Sequence, residues 1–187
     1  MKISVLFGDY CPLHEDKDPG QIPLGLMENG IDVDVITIAK PEIKEYTPKF
    51  HVIQKTKEEL LSDAFWSKTD SDIIIVYYLW LKYPSTLIEK IKRNGKKIIL
   101  KMDSDGRIAY PLKRHYHRVP LRERFTATDF ISEVFWRLSP KPLKRKKHKA
   151  YAEEFIKEVE LSDIVIIESP DALANLNFFL VELNLNK

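Results

Sequence analysis

Short apolar runs alternate along the chain with longer amphipathic stretches. The runs have the length of β-strands and are rich in β-branched residues, which is typical of strands buried on both faces. They lie at Ile3–Phe7, Asp72–Leu79, Lys97–Met102 and Ile164–Ile167. Asp32–Ile38 alternates polar and apolar residues, which predicts a strand near a sheet edge, and a short strand is expected at His51–Ile53.

The amphipathic stretches predict helices between these strands. One is expected between Pro19 and Gly30, with Leu24, Met27 and Ile31 on its apolar side and Gly30 as its stop. Another is expected around residues 148–161.

Capping patterns locate the other predicted helices. Thr56–Glu59 has the form of a capping box and should begin one helix that carries Leu60, Leu61, Ala64 and Phe65 on its apolar side. Thr86–Glu89 repeats the pattern in a helix that Gly95 stops, and Ser169 followed by Pro170 predicts a last helix. Strands alternating with helices predict an α/β fold: a Rossmann-like, mainly parallel sheet flanked by helices, with a basic helical insertion.

Length and composition favour one cytoplasmic domain. The 187 residues fit a single domain, and no apolar run approaches the roughly 20 residues that a membrane span requires. The start of the chain lacks a signal-peptide pattern and reads as a first strand. The single cysteine, Cys11, excludes an internal disulfide. A nucleophilic role for Cys11 lacks a partner motif, so we expect a small buried or loop residue instead. High charge with only two glutamines resembles heat-adapted proteins.

A net charge of +2 conceals a strongly basic segment. Residues 107–149 hold thirteen Lys and Arg against three acidic residues, and we treat residues 107–147 as an insertion. Its aromatic, amphipathic character suits an anionic membrane surface, with contacts from Arg137, Lys144, Arg145, Lys146 and Lys147. Alternatively, the helix predicted within this segment packs on the domain and its charges are solvated. Nucleic-acid binding ranks third, because no recognised module is present.

The candidate site residues lie directly after the ends of predicted strands. Asp103, Ser104, Asp105, Gly106 and Arg107 come directly after the strand that ends at Met102. In a parallel sheet, ligands bind just beyond the carboxyl ends of strands, although the same residue types also favour plain turns.

Three further residues, Gly8, Asp9 and Tyr10, follow the first strand and should face the same cleft, as should Ser169 unless it only caps a helix. A lone glycine gives no phosphate-binding fingerprint, so NAD or ATP is not expected. His115 and His117 have no third ligand nearby, and no metal site is predicted.

Five short segments of the sequence, taken in order, resemble the N-terminal half of a GT-B-fold retaining glycosyltransferase of the family-4-like kind. These segments are residues 1–8, Glu28–Thr37, Asp72–Val76, Asn94–Leu100 and Glu160–Ser169. Two features depart from the family pattern. The first loop has one glycine rather than several, and Asp103 matches only roughly a position that is often histidine in relatives.

The resemblance implies half an enzyme. Residues 1–187 would form one acceptor-binding domain, with the donor-binding C-terminal domain absent. The whole protein would transfer a sugar from a nucleotide-sugar, bound mainly by the missing domain, to a glycan or lipid-linked acceptor. The chain alone would be inactive and would need no cofactor, and it would sit in the cytoplasm or on the inner face of the membrane. The alternative is a non-catalytic α/β binding domain that contacts anionic membrane or nucleic acid through its basic segment.

Within this interpretation Asp103 is the catalytic candidate, and Gly8–Tyr10, Ser104–Arg107 and Ser169 bind the acceptor. A free aspartate has a pKa near ~3.9, which is low for a general base at neutral pH. A second carboxylate at Asp105 would raise the pKa of one of the pair, whereas Arg107 and Lys101 would oppose that shift. We therefore expect Asp103 to bind acceptor hydroxyls by hydrogen bonds rather than to act as a base.

Overall fold

The structure, a computed structural model, describes residues 1–8, 10, 16–38, 49–77, 84–102 and 153–167. Six strands and four helices have defined bounds within these ranges, and residues 153–161 form a further helical segment, called here the 153–161 helix. The strands are β1 (Lys2–Phe7), β2 (Asp32–Ile38), β3 (His51–Lys55), β4 (Ile73–Tyr77), β5 (Lys97–Lys101) and β6 (Ile164–Ile166). The helices are α1 (Asp18–Glu28), α2 (Lys57–Leu60), α3 (Asp63–Lys68) and α4 (Pro84–Arg93).

The six strands form one sheet with the order β3-β2-β1-β4-β5-β6. Every pair of neighbours is parallel. This is the strand order of a doubly wound Rossmann sheet, in which the order reverses between β1 and β4. The predicted fold class, a Rossmann-like mainly parallel sheet flanked by helices, is therefore confirmed for the described residues. The basic insertion at residues 107–147 lies outside them.

Helices cover both faces of the sheet. On the α1 face, Val5, Val35 and Ile75 pack in a core with residues of α1 such as Ile22 and Leu26. The opposite α4 face carries a second core, whose buried members are Leu6, Ile36, Leu60, Trp66, Ile74, Val76, Leu87, Ile88, Ile91, Ile98 and Leu100. Because both faces are buried, the strands have the near-continuous apolar runs seen in the sequence.

Glycine ends α1 and α4 as the sequence predicts. Gly30 and Gly95 have φ values of 74° and 77°, a left-handed conformation that costs glycine nothing. The apolar side of α1 differs from the prediction at one position. Met27 is 40% exposed, and Leu26 packs against the core instead.

The helix predicted after Thr56 is two short helices. Thr56 and Glu59 form the expected capping box of α2. The Ser62 hydroxyl then accepts a hydrogen bond from the Ala64 N–H and begins α3, so Leu61 lies in a turn and is 38% exposed. Trp66 fills the core, with its Nε1–H bonded to the Leu60 carbonyl at 2.6 Å.

The predicted start of α4 at Thr86 is wrong. The helix begins at Pro84, whose fixed φ suits the first helical position. The N–H of Ser85 is bound by the Glu154 carboxylate at 2.9 Å, so a distant residue supplies the hydrogen bond that a local cap would give.

The burial predicted for the last strand needs correction. The sequence predicts Ile164–Ile167 as a buried strand, but Ile164 and Ile166 in β6 are 56% and 39% exposed. They lie on the α1 face at the sheet's β6 side. β2 lies one strand in from β3, near the sheet edge as its alternating pattern predicts, and its polar residues Asp34 and Thr37 are buried. Each is bonded to protein partners, described below.

In the part of the chain that the structure describes, none of the helices has the length and apolar character to cross a bilayer.

Candidate functional site at the carboxyl edge of the sheet

Four side chains form a row across the carboxyl ends of the central strands, on the α1 face. They are Thr37 of β2, Phe7 of β1, Tyr77 of β4 and Lys101 of β5, called here the edge row. Phe7 is paired in register with Thr37, and Tyr77 with Lys101. The point at which the strand order reverses falls between Phe7 and Tyr77, where a doubly wound sheet binds its ligand.

Aromatic rings make up the centre of the edge row. The rings of Phe7 and Tyr77 meet edge to face, with centroids 5.5 Å apart and planes at 85°. Tyr77 is 6% exposed and Phe7 is half-buried. This edge-to-face geometry is the favoured one for a pair of aromatic rings, so the two side chains form a fixed apolar floor.

A buried cation lies at one end of this floor. Lys101 is 3% exposed, and its Nζ lies 4.9 Å from the centroid of the Tyr77 ring, within the range of a cation–π contact. Lysine is almost never fully buried unless its charge is compensated, and β5, which carries Lys101, lies next to β4 at the switch point. The sequence offered no signal for it beyond one polar residue at the end of an apolar run.

The first loop is attached to the other end of the edge row. Gly8, buried, directly follows β1, and the backbone N–H of Tyr10 donates to the Thr37 hydroxyl at 2.9 Å. The Tyr10 ring is 8% exposed and packs edge-on against Phe50, with centroids 5.5 Å apart. The structure therefore brings Gly8 and Tyr10 to the predicted edge, with the Tyr10 ring held in the core.

Met102 directly follows β5. Its side chain is 2% exposed against Phe155 of the 153–161 helix, and its N–H bonds the Ile166 carbonyl at 3.0 Å. Asp103 is the next residue in the chain. The other predicted site residues lie outside the described ranges, as Asp103 does: Asp9, Ser104, Asp105, Gly106, Arg107 and Ser169, together with Arg137, Lys144, Arg145, Lys146 and Lys147 of the basic segment.

Two carboxyl groups beside α4 were missed by sequence reasoning. Glu154 and Glu158 lie one turn apart on the 153–161 helix, and Glu154 binds the first turn of α4, as described above. Glu158 is 4% exposed, and its burial, together with the nearby Glu154 charge, raises its pKa to about 8. A pair of glutamates four residues apart on a helix usually lies in solvent, so only the packing of this helix on α4 distinguishes them.

Metal binding has no support within the described ranges, where no group of three or more His, Cys, Asp or Glu side chains is placed to hold an ion. The edge row instead combines aromatic rings with an ammonium group, and of these Phe7 is half-buried while Tyr77 and Lys101 are buried. Aromatic rings pack against C–H groups and an ammonium donates hydrogen bonds, which are the contacts that an oxygen-rich ligand makes.

The chain matches no known family model and no curated protein. One solved structure is similar: a short-chain dehydrogenase/reductase from Burkholderia vietnamiensis, with 9% sequence identity and a TM-score of 0.40. The match covers 93% of this chain and 89% of that one. A likeness of this size says nothing about activity, and the fold assignment depends on the strand order and pairing alone.

Proposed function

We propose that this chain is the acceptor-binding half of a glycosyltransferase, which transfers a sugar from a nucleotide-sugar donor to a glycan or lipid-linked acceptor. The observation that carries the proposal is the buried Lys101 ammonium over the Tyr77 ring, beside the strand-order switch. It adds to the order of sequence phrases that resembles the N-terminal half of this enzyme class.

The roles follow from the chemistry of each group. Phe7 and Tyr77 provide the floor under the acceptor sugar, whose C–H faces suit aromatic surfaces. Lys101 supplies positive charge toward hydroxyl or phosphate oxygens of the acceptor. Asp103, which follows Met102 in the chain, accepts a hydrogen bond from the acceptor hydroxyl that receives the sugar.

The nucleotide-sugar is held mainly outside this domain in the proposed enzyme. No glycine-rich phosphate loop follows β1 in the sequence, since Gly8 is a lone glycine. The domain therefore recognises acceptors and leaves the donor's phosphates to a second domain. It should bind simple glycosides while showing no sugar transfer alone.

The test is a binding measurement with defined probes. Methyl glycosides of glucose, galactose and mannose are titrated into the labelled chain, and NMR signals of Phe7, Tyr77 and Lys101 are followed. Saturable shifts with at least one glycoside, concentrated on these residues, support the proposal. Binding of none of them, or shifts elsewhere on the chain, would overturn acceptor binding at this edge.

The chain provides a matched control for the charge. Lys97 lies on the same strand and the same face as Lys101, but at the amino end, where its side chain is 73% exposed. Lys101→Met should weaken glycoside binding about tenfold, the effect of a lost charged hydrogen bond. Lys97→Met should leave the binding unchanged. Equal effects of the two variants would show that Lys101 has no contact with the ligand.

A further inference from the structure

The 153–161 helix and β6 lie at the end of the described sheet next to β5, and together they are called here the outer unit. β6 has three residues and pairs with β5 alone among the described strands. Its α1 face contributes little burial, since Ile164 and Ile166 are exposed. β1, in contrast, pairs with two strands and is buried on both faces. Opening the outer unit should therefore cost less free energy than unfolding the central strands.

Glu158 lies where the outer unit packs against α4. Glu154, one turn before it, accepts the Ser85 N–H, and the Leu161 carbonyl accepts a hydrogen bond from Lys92 Nζ at 2.7 Å. These two contacts lie about two turns apart on each helix, so the helices run side by side with Glu158 between the contacts. Glu158 is buried, and among the described residues no donor bonds its carboxyl group.

The charged groups of the described elements around Glu158 do not compensate a negative charge there. On its own helix the neighbour is Glu154, a second carboxylate. On α4, Glu89 is paired with Arg93 at 3.1 Å, and the Lys92 ammonium binds a backbone carbonyl at the end of the helix. The side chains that β5 and β6 direct to this face are apolar: Ile98, Leu100 and Val165. Burial and the Glu154 charge therefore raise the pKa of Glu158 to about 8.

A carboxylate formed at this position must reach water, because burying an unpaired charge is costly. We propose that the outer unit opens as one piece when Glu158 loses its proton, while β1–β5 stay folded. Opening breaks the hydrogen bond between Glu154 and Ser85, and it separates the Met102 N–H from the Ile166 carbonyl. Both contacts lie at the carboxyl edge of the sheet, so Glu158 links the structure of that edge to pH. The link exists whether or not the chain acts on sugars.

Hydrogen exchange of backbone amides between pH 5 and 7.5 tests the proposal. In this range the open unit has released the Glu158 proton and the closed unit keeps it, so the opening constant should rise about tenfold per pH unit. Base catalysis of exchange adds a further factor of about ten per unit. The Val159 and Met102 amides should therefore exchange about a hundredfold faster for each unit. At every pH they should also exchange at least about tenfold faster than the Val5 and Ile75 amides of the central strands.

Two results on the parent chain would each overturn the proposal. A rise of only about tenfold per unit at Val159 and Met102 would show that opening releases no proton. Equal exchange rates for Met102 and Val5 would show that the chain opens as a whole and not at the outer unit.

Two variants identify the group that carries the proton. Glu158→Gln keeps the shape of the protonated side chain and cannot ionise, so the rise at Val159 and Met102 should drop to about tenfold per unit. Glu160→Gln, at an exposed position of the same helix, is the control and should keep the steep rise of the parent. A steep rise that persists in Glu158→Gln would assign the proton to another group and overturn the proposal. If Glu158→Gln does not fold, the parent chain's rates decide the question.

Discussion

The Glu154 carboxylate accepts a hydrogen bond from the backbone N–H of Ser85 at 2.9 Å and so joins the 153–161 helix to the first turn of α4. A negative charge at a helix N-terminus is stabilising, because the first N–H groups have no partner within the helix. The same contact places Glu158, one turn further on, in the interior. This arrangement makes the stability of the domain depend on pH.

Glu158→Gln should change that dependence. The folded pKa of Glu158, about 8, is raised from an ordinary value of 4.5, so the folded state holds a proton that the unfolded state has released. Stability of the parent chain therefore falls as pH rises from about 4.5 through 8. The variant should lack this fall.

Urea unfolding between pH 5 and 9 measures the effect of Glu158 in both chains. Glu160→Gln, at an exposed position of the same helix, is the control and should follow the parent curve. Parallel curves for Glu158→Gln and the parent would show that the Glu158 carboxyl is ionised in the folded chain.

Asp34→Asn should destabilise the fold strongly. The buried carboxylate holds both Lys2 and His51, and it raises the pKa of the Lys2 ammonium above its ordinary value. Breaking a buried pair typically costs about 3 kcal/mol, because the remaining charge is left without compensation. Asp70→Asn removes a second Lys2 contact at 3.2 Å, but Asp70 is 72% exposed, so this variant should cost less than about 1 kcal/mol. Similar urea midpoints for the two variants would contradict the assignment.

Thr56→Ala should cost about 1 kcal/mol, the usual effect of losing a capping hydroxyl. The Thr56 Oγ1 accepts a hydrogen bond from the Glu59 N–H at 3.1 Å. The Glu59 carboxylate in turn accepts one from the Thr56 N–H at 2.8 Å. Thr56→Ser keeps the hydroxyl and should unfold close to the parent. A serine variant as unstable as the alanine variant would attribute the loss to the methyl group instead of the cap.

Asp103→Ala distinguishes the two roles open to this residue. If Asp103 holds the acceptor, the variant of a transfer-competent protein should raise the KM for the acceptor and keep most of kcat. If it is a general base, kcat should fall by about a hundredfold or more. Initial rates over a range of acceptor concentrations separate the outcomes, with Asp105→Ala as the neighbouring control. Full activity in Asp103→Ala would remove it from the site.

Sequence patterns located the strands well because the two-sided burial of a parallel sheet leaves long apolar runs. They failed where a hydrogen bond from a distant residue decided the local structure. The start of α4 depends on Glu154, which lies 69 residues from Ser85, and no local pattern encodes that contact. The break between α2 and α3 was missed for the opposite reason, since the weak signal of Ser62 was hidden by a stronger apolar pattern.

The sequence predicted that the candidate site lies at the carboxyl edge of the sheet, but it did not predict which side chains form it. The rule for parallel sheets led to Gly8 and Tyr10, which the structure brings to the carboxyl edge. It did not single out Phe7 or Tyr77, because residues at the end of an apolar run look like core residues, and Lys101 was considered only as a charge near Asp103. Their grouping requires the strand order, which places β1 next to β4 although 70 positions separate Ile3 from Ile73.

The central position of β1 has a consequence for how the chain is made. This strand leaves the ribosome before one of its two neighbours, β4, which is complete only when residue 77 has been added. Until then one side of β1 exposes unpaired backbone and apolar side chains, which is the state most open to aggregation. During translation the nascent segment that contains β1 should therefore be a binding site for chaperones, and that need should end once β4 has emerged.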